Sequence, residues 1–180
     1  GDAVFRPRAT VIATGTRPVV PEKWRDALGD RLLTTETFFD MPDLPARIAV
    51  IGLGPVGLEL GQALARLGVH VTGFDPSPMQ GGISDPVLQE HLEESIGREM
   101  DIVQANADLS LASDGSVTVS WEDGEISVDR VLVAIGRKPN SGATRVIIAA
   151  ETGTAVSPAP RSGLRPERSS ASSKDTTRTY

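Results

Sequence analysis

The sequence predicts a doubly wound α/β fold: a parallel sheet carrying an inserted antiparallel β-meander. Three observations lead there. Residues 48–52, IAVIG, are a short apolar run that breaks into glycines and then into a segment with helical spacing. A second strand-then-helix unit follows over 69–96. From residue 107 the apolar period changes to two around a pair of Asp-Gly dipeptides, and the continuous apolar run VLVAIG (131–136) closes the pattern.

Taken in order, ATVIATGTRPVVP (9–21) starts as a short apolar β-run that ends at Gly15, where Thr, Gly and Pro break it. Residues 21–44 read as a connector with one short helix near 35–40, and MPDLPAR marks a boundary. After the 48–52 strand, Val56, Leu60, Ala63, Leu64 and Leu67 give a helix its apolar stripe, with Gly68 placed as a left-handed C-cap. VHVTGFD (69–75) is the next strand. Asp85 and Pro86 open a helix as N-cap and N1, and Leu88, Leu92 and Ile96 form its buried stripe. A short strand follows at Ile102–Val103. Asp114–Gly115 and Asp123–Gly124 each join alternating runs, so a three-stranded meander fills about 107–128. VLVAIG reads as a strand buried on both faces. From Ser141 periodicity stops. The segment 141–180 carries six Arg and Lys against three Asp and Glu, whereas residues 1–140 carry twelve against twenty-one. Such a tail buries too little apolar surface to offset its ordering entropy, so it is expected to be disordered, or foreign to the rest of the chain.

Composition excludes several classes of function. No apolar run approaches the ~20 residues of a membrane span, and the N-terminus lacks a secretory signal pattern, so a cytoplasmic protein is expected. A net charge of −6 argues against a nucleic-acid partner. With no cysteine there are no disulfides, thiolate metal sites or thiol nucleophiles. His70 and His91 stand alone, and no metal site is expected. Trp24 and Trp121 read as packing residues.

The glycines carry the chemistry. IGLGPVGLEL has the Gly-x-Gly-x-x-Gly spacing directly between a strand and a helix. Gly52 makes the tight turn, Gly54 lets backbone approach a pyrophosphate, and Gly57 lets the helix pack closely on the sheet. The free N–H groups of the helix start then face the phosphates. Asp75, at the end of the next strand about 20 residues on, would accept hydrogen bonds from the adenosine ribose and repel a 2′-phosphate. The residues after it, PSPMQGG, offer no Arg or Lys for such a phosphate. NAD is therefore expected over NADP.

Two further motifs bracket this one: ATGTRP (13–18) and VLVAIGRKPN (131–140). With Glu59 extending the glycine pattern, the set resembles the pyridine nucleotide–disulfide oxidoreductases, dihydrolipoamide dehydrogenases and mercuric-reductase-like members above all, over about residues 5–140. The resemblance implies that residues 1–20 end an FAD-domain segment, with Thr14 and Gly15 beside the flavin nucleotide, and that 45–140 is the NAD domain. It implies Gly52, Gly54, Val56 and Gly57 at the pyrophosphate, Asp75 at the ribose, Gly136 near the nicotinamide and Glu59 toward the flavin–nicotinamide junction. It also implies a homodimeric parent that passes hydride between nicotinamide and flavin and electrons to or from a disulfide. The redox Cys pair, the first FAD glycine fingerprint and the C-terminal acid/base pair have no counterpart here, so a fragment without catalytic residues of its own is expected. The alternatives are a non-redox module binding NAD or ADP-ribose, and the NAD domain of a flavin NADH oxidase or ferredoxin-reductase relative.

Overall fold

A computed structural model describes residues 13–78 and 80–140. The expectations for residues 1–12 and for the tail from residue 141 lie outside the described residues. In chain order the elements are β1 (Thr16–Pro18), α1 (Glu22–Leu28), β2 (Leu32–Leu33), β3 (Arg47–Ile51), α2 (Pro55–Arg66), β4 (His70–Phe74), α3 (Pro86–Gly97), β5 (Asp101–Val103), β6 (Asp108–Leu111), β7 (Val117–Trp121), β8 (Gly124–Val128), β9 (Arg130–Val133) and β10 (Arg137–Pro139). Short 3₁₀ turns sit at Gly29–Arg31, Phe38–Asp40 and Gln80–Gly82.

The central sheet is parallel, in the order β2-β9-β3-β4-β5. Its central strands β3 and β9 are buried on both faces, as their apolar runs require. In β3, Ile48 and Val50 pack with Leu58 and Leu64 of α2 and Ile96 of α3, while Ala49 and Ile51 face the opposite way. That second face is covered by Leu28 of α1 and by Leu109, Val117, Val119 and Val128 of the β6-β7-β8 meander. Each fully buried branched side chain contributes about 1.5–3 kcal/mol, so this sandwich supplies the main driving force.

The two Asp-Gly signals resolve differently. At the first, Gly115 takes φ +81° and the Asp114 carboxylate accepts from the N–H and hydroxyl of Ser116. At the second, Glu122 and Asp123 form the turn, and Gly124 pairs with Trp121 inside the ladder. A Cβ on Gly124 would lie 2.9 Å from the Trp121 ring, so glycine there makes room for an indole.

Four expectations need correction. Thr16–Pro18, read as a break, is a strand paired antiparallel with β10, and its proline is tolerated on a two-stranded ribbon. The connector holds α1 and edge strand β2 in addition to the expected helical turn near Phe38. The buried face of α2 runs through Gly57, Leu58, Gly61 and Leu64, whereas Val56, Ala63 and Leu67 are exposed. In α3, Ile96 is buried and Leu92 partly so, but Leu88 is 57% exposed. The α3 cap is as expected: Asp85 Oδ1 accepts from Val87 N at 2.9 Å and Leu88 N at 3.1 Å.

Candidate functional site

A cleft of about 620 Å³ lies across the C-terminal ends of β3, β4 and β9, where ligands gather in open parallel sheets. Gly52, Gly54, Pro55 and Val56 line its middle. Asp75 and Pro76 line it beside Asn106 and Ala107, and Ala134, Ile135 and Gly136 line it at β9. Of the residues singled out from the sequence, Gly52, Gly54, Val56, Asp75 and Gly136 therefore come together. Gly57 is buried one turn into α2. Glu59 is exposed on α2 and does not line the cleft. Thr14 and Gly15 are not part of it either: their carbonyls accept from Nδ2 and the backbone N–H of Asn140, at 3.2 and 2.9 Å.

The three fingerprint glycines are held to glycine for different reasons. Gly52 has φ +95°, and a Cβ on it would lie 2.7 Å from the Ala134 carbonyl oxygen, because β9 crosses directly beside the turn. A Cβ on Gly57 would fall 1.9 Å from the Gly52 carbonyl oxygen, so α2 can approach the β3 end only without a side chain. Gly54 differs. Its φ is −64°, and nothing lies within 4 Å of an added Cβ. It is also the N-cap of α2, a position that favours Ser, Asp or Asn, and it makes no side-chain cap bond. Neither the fold nor the helix requires glycine there.

The loop between these glycines is fixed from three sides through Leu53. Its N–H donates to Asp75 Oδ2 at 2.7 Å, and its carbonyl accepts from Gly81 N at 2.7 Å. Its side chain is fully buried and lies over Gly73, where a Cβ would be 2.6 Å away. Asp75 Oδ1 also accepts from Ser77 N at 2.9 Å. The half-buried carboxylate thus joins the glycine loop to the turn after β4, and each oxygen keeps lone-pair capacity toward the cleft. At the helix start, Pro55 has no N–H, and the first α-helical bond runs from Leu58 N to the Gly54 carbonyl. The first-turn donors are thus left to a ligand or water.

Two contributors escaped sequence reasoning. Trp24, from the connector, packs on the core as expected but also lines the cleft, whereas Trp121 only packs, with its ring centroid 5.4 Å from that of Phe74. The Asn106–Ala107 loop lines it because β5 lies next to β4, a neighbour relation that the strand–helix–strand order does encode. His70 and His91 are exposed and do not line it. Among the described residues no group of three or more His, Asp or Glu side chains could hold a metal ion, and no helix is long and apolar enough to cross a membrane. A smaller apolar groove of about 350 Å³ runs between Phe38–Leu44 and the Leu60–Leu67 side of α2, and touches none of the glycines.

The geometry can be set beside known proteins. The chain is 33% identical over 140 residues to mercuric reductase of Staphylococcus aureus, covering 74% of this chain and 25% of that protein. It is 31% identical over 137 residues to dihydrolipoyl dehydrogenase of the same species, covering 73% and 29%. Among solved structures, the HOCl-induced flavoprotein disulfide reductase of Escherichia coli superposes with a TM-score of 0.65 at 22% identity, over 80% of this chain and 34% of that one, which speaks to the fold. The chain thus spans between a quarter and about a third of the proteins it matches. The sequence profile of one family covers residues 5–157, continuing past the Asn140 at which the quoted motifs end. Profile, relatives and fold converge, and the chain belongs to the pyridine nucleotide-disulphide oxidoreductase family.

Proposed function

We propose that this chain is the nicotinamide-dinucleotide-binding part of a flavin-dependent oxidoreductase and that it takes NAD(H) in preference to NADP(H). The single observation that carries the reading is Gly54. A glycine at a helix N-cap with ordinary φ and open space around it is unexplained by the fold, and is explained by a phosphate that needs the space a Cβ would fill. The Val56 and Gly57 N–H groups would then point at the pyrophosphate, with the helix dipole favouring its charge. Asp75, already oriented by Leu53 and Ser77, would accept from the adenosine ribose hydroxyls. Gly136, at φ +115°, would let the β9 turn run close beneath the nicotinamide. Bound there, the nicotinamide supplies the hydride donor or acceptor.

In this reading residues 45–140 form the NAD domain and 21–44 a connector. Residues 1–20 close an FAD segment, with Thr14 and Gly15 toward the flavin nucleotide, and Glu59 faces the junction of the two cofactors. In the parent, electrons pass between flavin and a disulfide, as the relatives suggest.

Calorimetric titration of the 180-residue chain tests the reading. NADH should bind at least about tenfold more tightly than NADPH, the worth of one charge-assisted ribose hydrogen bond. Asp75→Ala should weaken both, through the lost Leu53 anchor, and shrink the ratio between them. No NADH binding, or a preference for NADPH, would overturn it.

A further inference from the structure

We infer that Trp24 is the stacking platform for the adenine of the bound dinucleotide; this rests on the cofactor reading above and deepens it. The chain leaving β1 is fixed near the β9 end of the cleft, where Val19 N donates to the Gly136 carbonyl at 3.0 Å. From there α1 runs to β6, where Lys23 Nζ lies 3.0 Å from both carboxylate oxygens of Asp108. The Asp108 carboxyl is held below the usual range chiefly by Lys23, then by the Leu109 N–H, with the Trp24 indole a smaller contributor. Trp24 follows Lys23 in α1, and Lys23 is fixed to Asp108, the residue directly after Ala107. Asn106 and Ala107 follow β5, which neighbours β4 and hence Asp75. The indole thus shares the cleft with the Asn106–Ala107 loop, which follows the strand next to the one that ends at Asp75.

Its chemistry suits that place. Trp24 is half-buried: it packs against the cluster that holds Phe74 and Leu109, and it lines the cleft. Trp121 packs on the same cluster and lies against Phe74 but does not line the cleft. An indole anchored on the core and lining a cleft offers a flat, preorganised surface, and every base presents a π-face to such a surface. Asn106 beside it carries an amide able to meet the edge of an adenine.

The test uses ADP-ribose, which carries the adenine, its ribose and the pyrophosphate but no nicotinamide, so indole signals cannot come from energy transfer to a reduced nicotinamide. In Trp121→Phe, Trp24 is the sole tryptophan. ADP-ribose should quench its emission saturably, and the same should be seen as a partial quench in the unsubstituted chain if that variant folds poorly. Trp24→Ala should weaken ADP-ribose about tenfold by calorimetry, the loss of one base–aromatic stack. Trp24→Phe should restore affinity, and circular dichroism should show both variants folded. If ADP-ribose binds and Gly54→Val abolishes that binding, yet Trp24 emission and the Trp24→Ala affinity are unchanged, Trp24 is not the platform while the cofactor reading stands. If the unsubstituted chain binds neither ADP-ribose nor NADH, the cofactor reading fails and this inference with it.

Discussion

Gly54 and Gly57 are three residues apart, one at the N-cap and one in the first turn of α2, and the structure predicts opposite consequences for replacing them. At Gly57 an added Cβ would sit 1.9 Å from the Gly52 carbonyl oxygen. An unstrained C···O contact is about 3.3 Å, so the helix start or the Gly52 peptide must retreat by about 1.4 Å. Neither can do so freely. Gly52 N bonds the Phe74 carbonyl at 2.8 Å, and Leu53 is tied to both Asp75 and Gly81. Gly57→Ala should therefore cost about 3 kcal/mol, the upper end of overpacking, and lower Tm by about 10 °C. At Gly54 the substitution to test is Ser. Its φ of −64° suits any residue, the space is open, and a serine would supply the N-cap acceptor that α2 lacks. Gly54→Ser should stabilise the ligand-free chain by about 0.5–1 kcal/mol, from capping and from reduced unfolded-state freedom. It should also weaken NADH at least about tenfold, because the hydroxymethyl group occupies the phosphate position. Thermal melts and calorimetric titration of both variants give the answer. A Gly54→Ser chain that binds NADH as well as the unsubstituted one would refute the phosphate assignment. An unchanged Tm for Gly57→Ala would refute the close approach of α2.

Three further outcomes are expected. Gln80 is 3% exposed and its Oε1 has no hydrogen-bond partner among the described residues, so Gln80→Met should remove an unmet polar group at little change in volume and raise Tm by a few degrees, about 1 kcal/mol; a lower Tm would show that the amide is used. The Asp108 carboxyl is depressed in the folded chain, so its contribution is complete above the ordinary carboxylate pKa of about 4 and fades as pH falls through the lower folded value. Asp108→Asn should accordingly lose less Tm between about pH 5 and pH 3 than the unsubstituted chain. The difference should be small because the Lys23–Asp108 pair is exposed, and an identical pH profile would count against it. The 180-residue chain has no cysteine and so no dithiol step: with lipoamide and added FAD it should show no NADH oxidation by absorbance, and steady turnover would contradict this.

What was legible in the sequence was whatever a local pattern determines. β3 and β9 announce themselves because strands buried on both faces must be largely apolar, β4 because Val71 and Phe74 stand between the glycine that closes a helix and Asp75, and the α3 N-cap because Asp85–Pro86 suits a helix start. The elements that were missed owe their state to distant partners. In α1, EKWRDAL buries only Leu28, so no stripe exists to read. β2 is two leucines that become a strand by pairing with β9, 99 residues away. β1 contains a proline and is stabilised by Arg137, whose guanidinium donates to Thr16 Oγ1 and to the Thr16 carbonyl.

The misread face of α2 shows why the site was legible when part of its helix was not. A hydrophobic stripe seeks the largest apolar side chains, and so selected Val56 and Leu67. The face against the sheet carries Leu58 and Leu64 but also two glycines: Gly57 against the β3 end, and Gly61 with Met100 Sδ 3.1 Å from where its Cβ would be. Close approach is invisible to a hydrophobicity count, because glycine adds nothing to it. It is visible to the fingerprint, because that pattern records where side chains must be absent. The same close approach turns Val56 outward to the cleft and brings the first-turn N–H groups level with the strand ends, where Asp75 already holds the loop. The glycines that blur the helix pattern are therefore the ones that set the depth of the cleft. The one glycine of the fingerprint that packing leaves unexplained is Gly54, and in the proposed reading a phosphate fills the space beside it.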